Sequence, residues 1–261
     1  ARVAGLKRLF ENFQNTIADR HQFDVWLYVD SDDGETQDYI RSELWKSYEY
    51  PIHWHIGPTT RSMGDMFNTL WQSNTTNPGI YFPCGDDCTL RTKHWDNLMR
   101  EAFAKCPDTI LLGFLPEPSA APHQVTYPVP GAQWLNTLGY FMTNRFYFWF
   151  DDMWLDDIAQ MAGRKILIPA YLENPEGKGK TPRMRNLRFW NGYVRSTLKE
   201  RFSEACRLIE AIYPEDKQMQ TEAKHAARVI AAVQLHKLRR IDLDSCETME
   251  AELRENFKVA G

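Results

Sequence analysis

The sequence contains no long apolar run, and this absence limits where the protein can act. No stretch approaches the roughly 18 consecutive apolar residues that a transmembrane helix needs, so we expect no membrane span. No signal peptide is recognisable either, and we therefore expect a cytoplasmic protein.

Paired cysteines are also missing. The five cysteines include no Cys-x-x-Cys motif, which favours a reducing compartment over a disulfide framework. Cys84 and Cys88 have the spacing of half a zinc site, but no second Cys or His pair has a matching spacing. Because a structural zinc ion needs four such ligands, the sequence disfavours zinc.

The chain has no excess of positive charge. Its net charge is −4 and its pI is about 6.0, which disfavours a general nucleic-acid-binding protein, since such proteins are usually basic. Hydrophobic residues make up 43% and charged residues 25% of the 261 positions, as in an ordinary globular protein. The length suits one large domain or two modest ones.

Helical and strand patterns alternate along the first two thirds of the chain. Helical spacing of apolar residues predicts helices at 2–18, 36–45, 62–72, 95–103 and 153–162. Strands are predicted at 24–29, 52–56, 79–84, 109–114 and 165–169, with a long loop at 115–136 and a short strand at 139–143. This alternation predicts an α/β fold with a mostly parallel sheet covered by helices on both faces.

The pattern changes near Lys199, after which only helical spacing is found. Further helices are predicted around 202–213, 226–233 and 249–257. Asp244 and Glu247 have the spacing of a capping box before the last of these helices. We therefore expect a helical C-terminal extension.

Acidic residues follow two of the predicted strands. Asp30 and Asp32 come after the first strand, and Asp86 and Asp87 come after the third. Ligands of parallel sheets bind at the carboxyl ends of the strands. Adjacent carboxylates at the end of a buried strand are costly without a cation, and hard divalent metals prefer carboxylate oxygens. The alternatives are a solvated turn and, after the first strand, capping of the next helix.

A second acidic pair, Asp151 and Asp152, stands directly before the predicted helix at 153–162. This pair could supply a general base that faces a metal–phosphate site. It could also cap the helix, because carboxylates are favoured at a helix N-terminus.

An ordered set of motifs resembles the glycosyltransferases with the GT-A fold, in particular the family-two-like group. The donor half of the set consists of Gly57-Pro58, Gly64, Asn68, Gly85-Asp86-Asp87 and Trp95-Asp96. The acceptor half consists of Gly139-Tyr140-Phe141, Arg145 and Phe150-Asp151-Asp152-Met153-Trp154-Leu155. The resemblance implies a GT-A-like, Rossmann-type sheet flanked by helices over residues 1–198, followed by the helical extension at 199–261.

The resemblance also implies a donor site. Asp86 and Asp87 would coordinate a divalent metal, Mn²⁺ or Mg²⁺, together with the nucleotide-sugar. Contacts to the nucleotide are implied for Asp30, Asp32, Arg61 and Asn68. Relatives often have a His after the last strand as a further metal ligand, and Glu173 is the nearest substitute in this sequence. The family's first strand would precede Ala1, so we expect the residues given to lack one central strand.

On the acceptor side, Asp152 resembles the general base of the family and Asp151 the acid before it, with Asp156 as the next candidate. Residues 178–201 hold eight basic residues against one acid. By resemblance this segment, with Arg188 near its middle, would close over the diphosphate of the donor. The alternatives are a solvated basic loop and a contact with nucleic-acid phosphates.

These observations favour a metal-dependent, inverting glycosyltransferase that moves a sugar from a nucleoside-diphosphate sugar to an acceptor hydroxyl. The acceptor could be a glycan, a lipid-linked sugar or a hydroxylated base in nucleic acid, because each presents a nucleophilic oxygen. A nucleotidyltransferase on a similar sheet and a non-catalytic nucleotide-sugar-binding protein are the alternatives. The sequence leaves the oligomeric state open.

Overall fold

The computed structural model describes residues 2–60, 62–116, 125–146, 150–173 and 187–238. The helices are α1 (Arg2–Thr16), α2 (Gly34–Arg41), α3 (Met63–Ser73), α4 (Trp95–Ala104), α5 (Ala132–Leu138), α6 (Asp151–Ala162), α7 (Leu187–Ser196), α8 (Leu198–Ile212) and α9 (Lys217–Leu238). The strands are β1 (Val25–Asp30), β2 (Ile52–Gly57), β3 (Thr89–Leu90), β4 (Leu112–Leu115), β5 (Tyr127–Pro130), β6 (Lys165–Leu167) and β7 (Leu172–Glu173). Most predicted helices and the strands β1, β2 and β6 are confirmed.

The strands form three small sheets within the described residues. β1 pairs with β2 in parallel, from Val25 opposite Ile52 to Asp30 opposite Gly57. β4 pairs in parallel with β6 and antiparallel with β5, and β3 pairs antiparallel with β7. The protein is therefore a mixed α/β fold in which parallel pairs are present but do not extend into one continuous sheet in the described ranges.

The prediction of a regular strand at 79–84 is wrong. Of this segment, Ile80 forms a bridge to Gly131, and the Tyr81 amide donates to the Pro130 carbonyl at 3.0 Å. Pro83 has no N–H to donate, so a ladder cannot continue through it on that side. The chain still runs toward Asp86 here, but without the pairing that a central strand would have.

The predicted loop at 115–136 and the predicted strand at 139–143 are also wrong. β5 and most of α5 lie in the first segment. Proline at 128 and 130 conceals the strand pattern of β5, which tolerates these prolines because it is an edge strand of its sheet. Gly139 has a φ of 84° and ends α5 in the left-handed conformation, so the residues after it form a turn.

Two hydrophobic cores hold these elements. The first joins α1, β1, β2 and α4, and includes Phe10, Phe13 and Trp95. The second joins α5 and α6 to α8 and α9, and includes Trp134 and Trp154. The C-terminal helices therefore share a core with α6, while the expected domain boundary at residue 198 stays a prediction. None of the described helices is both long and apolar enough to cross a bilayer.

Arg201 of α8 is fully buried beside α6. Its side chain is 0% exposed, and its Nε lies 2.9 Å from an oxygen of Asp157 on α6. The guanidinium also lies 5.3 Å from the centre of the Trp154 ring and donates to the Thr197 hydroxyl at 2.9 Å. A buried cation needs such partners because it is costly to remove from water.

Arg201→Met is expected to lower the free energy of unfolding by about 3–5 kcal/mol, because it leaves Asp157 buried without its cation. The double variant Arg201→Met/Asp157→Leu should recover most of this loss, since no unpaired charge remains. Urea denaturation measures both. Arg41→Met serves as the control, because Arg41 pairs with Asp38 on the surface and should contribute less than about 1 kcal/mol. Equal losses in the single and double variants would contradict this account.

Candidate functional site

The carboxyl end of β1 holds two acids with different surroundings. Asp30 has a side chain that is 12% exposed and pairs with Arg2 at 3.3 Å. Its Oδ1 is buried without a hydrogen-bond partner in the described part of the chain. Asp32 accepts a hydrogen bond from the Thr59 hydroxyl at 2.6 Å. The capping alternative holds for neither of them, because the N-cap of α2 is Asp33, which accepts from the Thr36 amide.

Helix α1 lies against both Asp30 and Asp86. Arg2 contacts Asp30, and one turn later Gly5 approaches Asp86 so closely that a Cβ on Gly5 would lie 3.1 Å from Asp86 Oδ2. Residues three apart share one face of a helix, so Asp30 and Asp86 lie along the same face of the first turns of α1. Sequence analysis missed this contact, although a glycine inside an amphipathic helix is a signal of close approach.

Asp86 and Asp87 lie in a turn that leads into β3. The Cys88 amide donates to the Gly85 carbonyl at 3.2 Å and closes this turn. A Cβ on Gly85 would lie only 2.6 Å from Asp87 Oδ1, so the absence of a side chain lets the Asp87 carboxylate fold back over the turn. Both carboxylates are half-buried.

Glu173 is brought next to this acidic pair by the β3–β7 ladder. It lies opposite Thr89, two residues after Asp87. Its carboxylate accepts a hydrogen bond from Arg91 Nε at 2.7 Å. This ion pair was not predicted from the sequence. The role of Glu173 as a metal ligand stays a prediction.

The described residues contain no group of three or more His, Cys, Asp or Glu side chains arranged to hold a metal ion. Two adjacent carboxylates are nevertheless a suitable donor set for Mg²⁺ or Mn²⁺, because Mg²⁺ is usually bound through one or two carboxylates, substrate phosphates and water. The buried, unpartnered oxygen of Asp30 adds a further acceptor on the same face of α1. The side chains present therefore fit a metal that a phosphate ligand helps to hold.

Asn68, predicted to face the nucleotide, makes contacts with the backbone of the acceptor half. Its Nδ2 donates to the Met142 carbonyl at 2.8 Å, and its Oδ1 accepts from the Phe141 amide at 2.6 Å. One turn earlier on α3, a Cβ on Gly64 would lie 2.6 Å from the Thr143 carbonyl oxygen. These contacts give Asn68 and Gly64 a structural role that joins α3 to the turn at 141–144.

Two predicted site residues cannot be placed. Arg61 lies outside the described residues, as do positions 178–186 of the basic segment predicted to close over the diphosphate. Arg188 lies within α7, but its side chain is not among those described. Their contacts to a nucleotide stay predictions.

Asp151 and Asp152 are the first two residues of α6. The N-cap position is Phe150, which has a φ of 73° and makes no side-chain cap hydrogen bond. Asp152 Oδ1 accepts from the Met153 amide at 2.8 Å. Asp151 is 7% exposed, and its Oδ1 has no hydrogen-bond partner among the described atoms. Capping therefore does not account for the burial of this pair.

Burial changes the protonation of both carboxyls. It raises the pKa of Asp152 to about 6, and the charge of Asp156 adds to this shift. Burial, with the charge of Asp152, raises the pKa of Asp151 well above its usual range. The two form a coupled pair in which burial disfavours the ionised form of both carboxyls, while a pKa of about 6 leaves Asp152 mostly ionised at neutral pH. A carboxylate with a pKa near 6 is well suited to act as a general base at pH 7.

Asp156, the alternative base, is engaged elsewhere. Its Oδ1 lies 2.6 Å from Lys165 Nζ, and both side chains are largely buried. This ion pair occupies the Asp156 carboxylate, which is therefore less available to a substrate hydroxyl. This geometry favours Asp152 over Asp156.

A hydrogen-bond network between α6, α8 and Tyr140 was not predicted from the sequence. Trp154 Nε1 donates to the Tyr140 hydroxyl at 2.8 Å and to Glu204 at 3.1 Å, and the Tyr140 hydroxyl donates to Glu204. Glu204 comes from α8. The C-terminal helices therefore help to orient the residues of the acceptor half.

Asp152→Asn is expected to stabilise the protein at neutral pH. The folded-state pKa of Asp152 is raised from 3.8 to about 6, so its contribution to stability is full below the unfolded pKa and is lost as pH rises through about 6. The variant should gain roughly 3 kcal/mol at pH 7.5 and roughly 1 kcal/mol at pH 4.5. Denaturation at the two pH values measures this. Asp156→Asn is the control and should lose stability at pH 7.5, because Lys165 loses its partner. A destabilised Asp152→Asn at pH 7.5 would contradict the raised pKa.

Comparison with known proteins gives one result at the level of fold. No protein-family model matches the chain, and no curated protein matches its sequence. Among solved structures, the chain is similar to the mannosyltransferase PcManGT from Pyrobaculum calidifontis in complex with GDP-Man and Mn²⁺. The TM-score is 0.53 at 14% sequence identity, over 98% of this chain and 84% of that chain. At this identity the likeness concerns the fold alone, and this mixed α/β chain has a glycosyltransferase-like fold.

Proposed function

We propose that the protein is a metal-dependent, inverting glycosyltransferase of the GT-A type, in the family-two-like group, that uses a nucleoside-diphosphate sugar. The observation that carries this proposal is the shared location of Asp30 and Asp86 along the first turns of α1. Acids from the end of β1 and from the turn before β3 lie against the same helix there, and α/β folds bind ligands at the carboxyl ends of their strands. The fold likeness to a mannosyltransferase solved with GDP-Man and Mn²⁺ supports the same donor chemistry.

The donor side of the site is built from four carboxylates. Asp86 and Asp87 would hold a divalent metal, which would neutralise the diphosphate and so make it a better leaving group. Asp30 and Asp32 would contact the ribose or base, since Asp30 ends β1, Asp32 follows it at the same edge, and Asp30 retains a free acceptor oxygen. Arg2 offsets the negative charge that these acids concentrate.

The acceptor side is the N-terminal turn of α6. Asp152 would take the proton of the acceptor hydroxyl as the hydroxyl oxygen attacks the anomeric carbon. Its pKa of about 6 keeps it ionised at neutral pH without making it a very weak base. Direct attack of the hydroxyl oxygen, with no enzyme-bound sugar intermediate, inverts the configuration at that carbon.

Donor binding can be tested by thermal shift with nucleoside diphosphates and their sugars, with and without Mn²⁺. The matching donor with Mn²⁺ should raise the melting temperature by several degrees, since a ligand at 100 times its Kd contributes about 2.7 kcal/mol. Asp87→Asn should lose the Mn²⁺-dependent part of the shift. Asp38→Asn, a change of an exposed acid on α2, should keep it. No shift with any donor, or an undiminished shift in Asp87→Asn, would contradict the proposed donor site.

The role of Asp152 can be tested by turnover. Asp152→Asn should lower turnover by about 10²–10⁴-fold, the usual contribution of a positioned base, with little change in donor Kd. The expected stability of this variant at neutral pH separates lost chemistry from lost folding. Asp156→Asn is the matched control and should retain most turnover. Near-normal turnover in Asp152→Asn would remove the base assignment, and donor binding without hydrolysis or transfer in the wild type would indicate a non-catalytic binding protein.

A further inference from the structure

A groove lies between α8 and α9, beside the end of α7. Its volume is about 410 Å³. Its apolar lining comes from Leu198, Phe202, Ala231, Ala232 and Leu235. The proposed donor and acceptor sites use none of these side chains.

Three cations stand along this groove: Arg195, Lys199 and Arg228. Arg228 lies 6.0 Å from the centre of the Phe202 ring. Among the residues that the structure describes, no carboxylate forms a salt bridge with any of the three. An apolar floor with uncompensated cations at its edge suits a ligand that is both apolar and acidic.

Elsewhere on α9, Val229 is 54% exposed and Val233 is 50% exposed. The groove itself, with an apolar floor between two helices, has the form of a surface that accepts an amphipathic helix. Exposed apolar surface of this kind favours a partner that covers it.

We propose that the occupant is the segment 244–258 of this same chain, docked as an amphipathic acidic helix. Residues 239–261 lie outside the described part of the structure. In the sequence, Met249, Leu253 and Phe257 repeat at four-residue spacing, which places them on one helical face. The segment 244–258 carries five acidic residues and two basic ones, so its charge is opposite to that of the groove.

Two of these acids are placed to reach the cations. Glu250 follows Met249, and Glu252 precedes Leu253. At about 100° per residue, these two carboxylates flank the apolar face on opposite sides. A helix that lays Met249 and Leu253 on the groove floor therefore carries an acid toward each edge.

Chain connection favours this occupant over a separate partner. α9 ends at Leu238, and Leu235 lines the groove one turn earlier. The connector 239–243 can span up to about 17 Å, enough for the chain to turn back along α9. A short tether gives an effective concentration in the millimolar range, so even a weak helix–groove contact would be occupied.

Amide hydrogen exchange of the full chain tests the docking. Amides in 248–258 should exchange at least tenfold more slowly in the wild type than in Lys199→Glu/Arg228→Glu. Protection should return when Glu250→Lys/Glu252→Lys is added to that variant. Lys217→Glu is the control. Lys217 lies on α9, as Arg228 does, but outside the groove, so this change should leave the protection unchanged.

The segment-side variant Glu250→Lys/Glu252→Lys alone should also lose protection, and it changes no residue of the described fold. This keeps the test valid if reversal of the groove charges disturbs α8 or α9. Unprotected amides in the wild type, or protection that survives either reversal, would overturn the proposal. Protection that rises with protein concentration would overturn it in favour of a second copy of the chain.

Discussion

The buried ion pair between Arg201 and Asp157 fixes α8 against α6, and the N-terminal turn of α6 carries the second acidic pair. Asp157 lies less than two turns after Asp152 on the same helix, so any rotation of α6 that moved Asp152 would also strain this pair. Trp154 lies between the two positions and contacts the guanidinium of Arg201. The C-terminal helices thus hold in place a turn that contributes two buried, adjacent carboxyl groups and would otherwise be unfavourable.

A similar constraint operates at the other acidic end, where the supporting element is α1. Two carboxylates, one at the end of β1 and one in the turn before β3, lie along this helix, and the favourable terms are the Arg2 cation and the close backbone approach at Gly5. These two acids are therefore held in place by the fold itself. Neighbouring carboxylates repel each other. Packing of α1 on the first core, through residues such as Phe10 and Phe13, offsets this repulsion.

Sequence patterns predicted the parts of this fold that depend on local periodicity. α1, α3, α4, α6, β1 and β2 were predicted correctly because their apolar residues repeat at helix or strand spacing. β5 was missed because two prolines conceal an edge strand, and 79–84 was assigned a regular strand because hydrophobicity alone does not reveal whether a ladder can form. Arg201 occupies an apolar position of α8, three residues after Leu198 and four before Ala205, which was a readable signal. The Arg91–Glu173 and Arg2–Asp30 pairs join residues far apart in sequence, and no local pattern contains them.

α3 packs against β1, and the contact between Gly64 and Thr143 joins α3 to the turn at 141–144. Asn68 secures the same junction by bonding both the carbonyl and the amide groups of the turn at 141–142. The separation between the two acidic ends is thus set partly by a residue that has no side chain, since any Cβ at position 64 would collide with a backbone oxygen. In protein engineering, this means that the part of the chain that ends with α3 and the part that begins with the turn at 141–144 are not independent modules. A chimera that exchanged one half for that of another protein would have to carry both sides of this junction, or the two acidic ends would meet at a different distance.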